Sequence, residues 1–186
     1  MIFNRIWAMP NKETFSIKPI GEFVRKYLDS ANISIDPFAR NKVWATYTND
    51  LNPETEAEYH MQASDFMNLM VEKKIKSDLV IFDPPYSPRQ ISECYKGIGM
   101  SVTMKDTQSA VLYKNVRDKI DPVVEVGGYV LSFGWNSVGM GITRGYKIVE
   151  ILLVCHGGAH NDTICIAEKK ISENKPAETL DKTPEE

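Results

Sequence analysis

The run Asp78-Leu79-Val80-Ile81-Phe82 passes without a break into Asp83-Pro84-Pro85-Tyr86. Four consecutive apolar residues read as a short strand buried on both faces. The two prolines that follow remove two backbone donors and fix φ, so the strand must stop there. A strand buried on both faces needs helices on both sides of its sheet, and this points to an α/β chain with a mostly parallel sheet.

The remainder of the chain has the same alternation of short β-branched runs and amphipathic stretches. Ile20, Phe23, Val24, Tyr27 and Leu28 recur at helical spacing, which predicts a helix over 19–29 with a proline in its first turn. Strands are predicted at 33–35 and 43–48, the second closed by the polar loop 49–53. Ser64 or Asp65 is placed to cap a helix carrying Phe66, Leu69 and Met70. Residues 88–104 read as a loop with a helical turn or more, and 106–124 as a longer helix. Gly127-Gly128 is expected to separate that helix from strands at 129–133, 146–154 and 163–167. After Ser172 the chain is Lys, Glu, Pro and Thr with hardly an apolar residue, so 172–186 is expected to be a disordered tail. Residues 1–171 then form one domain, in keeping with a chain of 186 residues.

Composition narrows the partners. The formal charge is -3 with both signs interspersed, so any nucleic-acid contact must come from a local patch. Cys94, Cys155 and Cys165 are odd in number and lack paired ligand spacing, and His60, His156 and His160 are likewise scattered, so no metal site is expected. No stretch approaches the roughly 20 apolar residues of a membrane-spanning helix, and the first residues lack a signal-peptide pattern. A cytoplasmic protein without a membrane partner is the expectation.

The end of the buried strand carries the chemistry. In open α/β sheets, ligands bind outside the carboxyl ends of strands. There Asp83 offers a carboxylate and Pro84 a carbonyl that no ladder claims, two acceptors side by side. An amine attached to an aromatic base is a poor nucleophile until acceptors hold its hydrogens and stabilise the positive charge that develops on nitrogen. Tyr86 adds a flat face for the base, a stacking contact of about 1–3 kcal/mol in single-stranded nucleic-acid sites.

Asp-Pro-Pro-Tyr after an apolar strand resembles the catalytic motif of the amino-methylating DNA methyltransferases, the N6-adenine type in particular, and the compact forms encoded by phages and prophages most of all. The resemblance runs from about Thr14 to Lys170 and implies a Rossmann-like class I S-adenosylmethionine-dependent methyltransferase fold: seven strands, mostly parallel, with a closing antiparallel hairpin. It assigns Asp83, Pro84, Pro85 and Tyr86 to catalysis. It further implies that Asp36, Pro37 and Phe38 line S-adenosylmethionine. Here the sequence departs from the family, because Ala39-Arg40-Asn41 stands where a Gly-x-Gly turn is usual, and Arg40 is a candidate for the cofactor carboxylate. Asp50, at the end of the next strand, suits the ribose hydroxyls. Asp65 and Phe66 correspond to the adenine-binding element, and Lys18 and Pro19 belong to a weaker match, 14–20, at the methionine end. An N-cap aspartate and a core phenylalanine would equally explain Asp65 and Phe66.

Ser87, Arg89 and Gln90, directly after the tetrapeptide, are candidates for substrate contacts, Arg89 on a phosphate; a helix start with a solvated side explains the same residues. The implied partner is DNA, duplex or single-stranded, with the target base flipped out of its stack. Little length is left for a target-recognition domain, which leaves open relaxed specificity, a homodimer or a separate specificity subunit. The implied setting is a bacterial or phage-infected cytoplasm. Guanine-N2 methyltransferases of RNA carry a similar tetrapeptide and are the alternative enzyme class. A module that binds cofactor or nucleic acid without turnover is the other alternative.

Overall fold

The computed structural model describes residues 1–101 and 109–173. Eleven helices and strands follow in chain order: β1 (Ile2–Trp7), α1 (Lys18–Leu28), β2 (Ser34–Asp36), β3 (Tyr47–Thr48), α2 (Ala63–Glu72), β4 (Ser77–Phe82), α3 (Pro88–Gly97), α4 (Ser109–Ile120), β5 (Val124–Gly134), β6 (Tyr146–Cys155) and β7 (Thr163–Lys170). The strands form one seven-stranded sheet in the order β1-β6-β7-β5-β4-β2-β3. Only β7 runs antiparallel to its neighbours, closing a hairpin with β6 beside β5.

The period-two alternation of β4 divides the core. Leu79 and Ile81 face α1, where Ile20, Phe23 and Val24 join Leu131, Phe133 and Val154. Val80 and Phe82 face the other way, into a cluster with Phe66, Met67 and Met70 of α2 and Val116 and Ile120 of α4. Every one of these side chains is at most 5% exposed, so the central strand is covered on both faces as its apolar run requires.

Several boundaries differ from the sequence reading, each for a local reason. The seventh strand is β1, which alternation alone did not reveal because all six of its residues are exposed. It pairs with β6 in parallel register from Ile2↔Glu150 to Trp7↔Cys155. His156 fixes its end, its Nδ1 2.8 Å from the Ala8 carbonyl and its Nε2 2.9 Å from the Thr163 hydroxyl. Gly127-Gly128 does not separate a helix from a strand but lies within β5. Gly127 takes φ +97° there, and the register between β4 and β5 shifts in this stretch. Strand β3 is only two residues long. Trp44 leaves the sheet to stack on Phe15, with ring centroids 5.8 Å apart, and the Thr46 hydroxyl, not a backbone group, accepts from Ser34 N. The N-cap of α2 is Gln62, which puts Ser64 and Asp65 inside the first turn. The helical turn anticipated after Pro88 is the ten-residue α3. The expected helix at 106–124 begins outside the described residues, and the expected tail lies there except for 172 and 173.

Two buried ionic groups tie the sheet to its surroundings. Glu150 of β6 accepts from Lys26 Nζ and Tyr27 Oη of α1, both at 2.6 Å. Lys170 of β7, 1% exposed, donates to the carbonyls of Asp121 and Val124 at 2.9 and 3.0 Å. Because each charge is met by several partners, burial does not leave it orphaned. No described helix is long and apolar enough to cross a membrane.

Candidate active site

The sheet order sets β2 between β3 and β4, so the carboxyl ends of the three strands deliver Asp36, Asp50 and Asp83 to one edge of the fold. Asp36 is 1% exposed, and its Oδ1 accepts from Phe38 N at 2.9 Å. Burial, together with the charges of Asp83 and Asp50, pushes its carboxyl well above the usual carboxylate range. Asp50 is also raised by burial, although its oxygens accept from Asn52 N at 2.8 Å and Arg40 N at 3.2 Å. Asp83 is lifted by burial to about 6, while hydrogen bonding from Tyr86 and Thr14 and the charge of Arg40 pull it back.

The turn after β4 is held from three sides. Tyr86 Oη donates to Asp83 Oδ1 at 2.5 Å, and Tyr86 N donates to Gln90 Oε1 at 2.5 Å. Tyr113 of α4 donates its hydroxyl to the Pro85 carbonyl. Among the described residues no group donates to the Pro84 carbonyl, which leaves it, next in the chain to Asp83, as an unclaimed acceptor in the turn after β4. The Tyr86 ring packs into the α1-side core and meets Trp135 edge-on, centroids 5.8 Å apart at 70°.

The glycine-poor turn keeps the backbone of a glycine turn. Arg40 adopts φ +51°, the left-handed region that L side chains enter at a cost of about 1–2 kcal/mol. Its guanidinium reaches Glu13 Oε1 at 2.9 Å and the Lys12 carbonyl at 2.9 Å, tying the turn to the 3-10 segment Thr14–Ser16 that lies against the Asp83 end of β4. Behind the turn, Asn49 is fully buried: its Nδ2 donates to the carbonyls of Pro37 and Met61, and its Oδ1 accepts from Met61 N. Pro37 is buried at this junction, and the Phe38 ring lies 5.8 Å from Phe82 at 64°.

The other sequence candidates are distributed unevenly. Lys18 is exposed at the start of α1, 3.9 Å from Glu22, with Pro19 half-buried beside it. Asp65 is exposed in the first turn of α2, whereas Phe66 is 0% exposed and packs on Tyr59. Ser87 caps α3 by accepting from Gln90 N, and Arg89 pairs on the solvated face with Glu93 at 2.8 Å. Asn49, Glu13 and Tyr113 join the site although no motif singles them out. For Asn49 a polar residue directly after a β-branched run, at the start of a loop, was the available signal. Among the described residues no cluster of three His, Cys, Asp or Glu side chains is arranged to hold a metal. A cavity of about 630 Å³ between Arg117, Arg144 and Glu168 lies where β6 begins and β7 ends, with no lining residue from the Asp83 turn; there Glu168 already accepts from Met140 N and Gly141 N.

The donor set suits a cationic ligand. Three neighbouring carboxyls, two of them largely withdrawn from water, repel one another when ionised, and a sulfonium or ammonium group placed among them relieves that repulsion. S-adenosylmethionine carries both cations.

No family model matches the sequence, and no curated protein matches it. Solved structures do match. SMU.776, described as a methyltransferase and complexed with SAH, superimposes with a TM-score of 0.53 at 12% identity over 79% of this chain and 48% of that one. NSun6 from Pyrococcus horikoshii with SFG gives 0.53 at 11% identity over 80% and 50%. TrmN from Thermus thermophilus gives 0.53 at 11% identity over 86% and 50%. The chain thus spans about half the length of these proteins. What they have in common with it is the fold, an α/β sheet of seven strands with one antiparallel member, and that is the Rossmann-like class I methyltransferase architecture.

Proposed function

We propose that this chain is an S-adenosylmethionine-dependent methyltransferase that methylates the exocyclic amino nitrogen of a flipped-out DNA base, adenine N6. The observation that carries this reading is the turn after β4, where the Asp83 carboxylate and the unclaimed carbonyl of the adjoining Pro84 lie at the same end of the sheet as two further acids. The fold supports it, since its relatives SMU.776 and NSun6 are complexed with SAH and SFG.

The cofactor supplies an electrophilic methyl group. Asp36 and Asp50 take its side of the site, after β2 and β3, with Pro37, Phe38 and Arg40 on the intervening turn. Lys18, Pro19, Asp65 and Phe66 complete the set implied by family resemblance, although Asp65 lies in solvent and Phe66 in the core. Asp83 and Pro84 accept the two amino hydrogens and turn the nitrogen lone pair out of conjugation. As nitrogen gains its bond to carbon, Asp83 stabilises the positive charge and can take the proton that nitrogen must lose, at Oδ2, the oxygen not held by Tyr86. A carboxyl of pKa about 6 is largely ionised, and so able to accept, at neutral pH and above. Pro85 and Gln90 hold the loop, Ser87 starts the helix behind it, and Arg89 is available to a phosphate at the rim.

The test is transfer of labelled methyl from S-adenosylmethionine to unmethylated genomic DNA, followed by nucleoside mass spectrometry, with total RNA and Asp83→Ala in parallel. N6-methyladenine in DNA that disappears with the variant is the expected result. Label confined to RNA would move the substrate to guanine-N2 or another RNA base amine, and no label with intact cofactor binding would make the chain a binding module.

A further inference from the structure

A groove of about 620 Å³ opens at the carboxyl ends of the other half of the sheet, between Trp7 and Trp135. Trp7 ends β1 opposite Cys155, and Trp135 follows Gly134, which pairs with Ile164. The order β1-β6-β7-β5 puts three strand spacings between them, roughly 14 Å. Both indoles stand in water, 61% and 41% exposed. The groove borders the reacting centre, because Trp135 on its lining is the residue that meets the Tyr86 ring.

The groove offers a phosphate one cation, Arg5, beside one acid, Asp162. Arg5 lines it and forms no ion pair among the described residues. The acid on the same lining, Asp162, has its Oδ1 occupied by the backbone N–H of His156. The floor is open because Gly157 and Gly158 contribute no side chain. Gly157, at φ +85°, lets the chain turn beneath the Trp7 indole.

We propose that this groove is a track for unpaired bases flanking the target, with Trp135 and Trp7 as stacking platforms and Arg5 on a phosphate, so that the substrate is single-stranded DNA; this rests on the reading that Asp83 acts on a base. Exposed aromatic rings beside a cation are the means by which proteins hold single strands. A duplex hides its base faces from such rings. Stacked nucleotides advance about 3.4 Å each, so the distance from Trp135 to Trp7 covers about four of them, and fewer if the strand is extended.

Fluorescence anisotropy of a labelled 12-mer DNA, single-stranded or annealed to its complement, tests the track in the absence of cofactor and turnover. The expected result is at least tenfold tighter binding of the single strand, weakened about fivefold or more by Trp7→Ala or Trp135→Ala and largely restored by Trp7→Phe. Arg5→Ala should weaken binding and flatten its dependence on salt. Equal affinity for the duplex, or an unchanged single-strand affinity in Trp7→Ala with an unaltered melting curve, would overturn the proposal. Tight single-strand binding that responds to both tryptophans, in a protein that never methylates DNA, would uphold the track and refute the catalytic reading. Methylation of DNA by a Trp7→Ala protein with parental affinity and KM would do the reverse.

Discussion

The Tyr86 hydroxyl donates to Asp83 Oδ1 across 2.5 Å, so the aromatic ring and the acid of the tetrapeptide act as a pair and not as separate contacts. Tyr86 stabilises the ionised form of Asp83, while burial lifts that acid to about 6. The rate of methyl transfer should therefore fall as pH drops through about 6, when Asp83 gains its proton and can no longer accept one. Tyr86→Phe keeps the ring but loses the donor, at about 1.5 kcal/mol for a bond to a charged group, so the acid limb should move up by about one pH unit. At pH 8.5 this variant should retain most of the parental activity, and Tyr86→Ala should not. A pH–rate profile of the three proteins checks both points, and an unmoved limb in Tyr86→Phe would show that another group sets it.

Replacing Asp83 separates chemistry from stability. Asp83→Ala should lower methyl transfer at least a thousandfold while the cofactor dissociation constant stays within about threefold, because in the proposed reading this acid faces the base. Stability should respond in the opposite sense. The folded-state pKa lies above the unfolded value, so the carboxyl favours folding below about pH 4, and that contribution is lost as pH rises through about 6. Asp83→Asn, which is never charged, should thus match the parent at pH 4 and exceed it at pH 8 by on the order of 2 kcal/mol. Urea midpoints at the two pH values measure this directly.

Much of this site was legible because its parts obey short-range rules. The apolar run of β4 had to be a buried strand, its prolines had to end it, and acids after successive strands of a parallel sheet had to converge at one end. What could not be read depends on contacts that sequence spacing does not encode. Strand β1 has no buried face to give it a pattern, and only its parallel register with β6 makes it a strand. Arg40 occupies a left-handed turn that sequence rules reserve for glycine, and the ion pair with Glu13 that accompanies it joins residues 27 apart in sequence. Trp135 reads as an ordinary aromatic after a strand until the fold brings it against Tyr86. The candidates after Tyr86 show the converse: Ser87 and Gln90 spend their polar atoms on the loop itself.

Arg40 allows strain and charge to be told apart. Arg40→Gly removes the left-handed penalty together with an ion pair whose partners are 53% and 32% exposed, a pair worth about 0–1 kcal/mol. Arg40→Ala loses the pair and keeps the strain. The glycine variant should therefore be the more stable of the two by about 1 kcal/mol, as read from urea midpoints. If the guanidinium also meets the cofactor carboxylate, both variants should bind S-adenosylmethionine about tenfold more weakly in calorimetric titrations, and to the same extent. A loss confined to the alanine variant would assign the effect to the turn instead.

Asn49 should be the most sensitive position behind the cleft. Its amide satisfies the carbonyls of Pro37 and Met61 and the backbone N–H of Met61, while its own backbone N–H donates to the Asp36 carbonyl at 2.9 Å. One side chain thus fixes the ends of β2 and β3, from which Asp36 and Asp50 project. Asn49→Ala leaves three backbone groups without a partner, each costing about 1–3 kcal/mol in a buried setting, so a loss of roughly 3 kcal/mol or more is expected in urea unfolding. Cofactor affinity should fall at least tenfold with it, because both acids lose their support. Asn49→Asp makes a sharper test. A carboxylate there can still accept from Met61 N, but it faces the two carbonyls and adds a fourth acid beside Asp36, Asp50 and Asp83. Burial and these neighbours will raise its pKa, so its penalty should be small near pH 4, where it is protonated and can donate to one carbonyl, and should grow as pH rises. A penalty independent of pH would mean that water reaches Asn49, and that the junction it holds is looser than its full burial indicates.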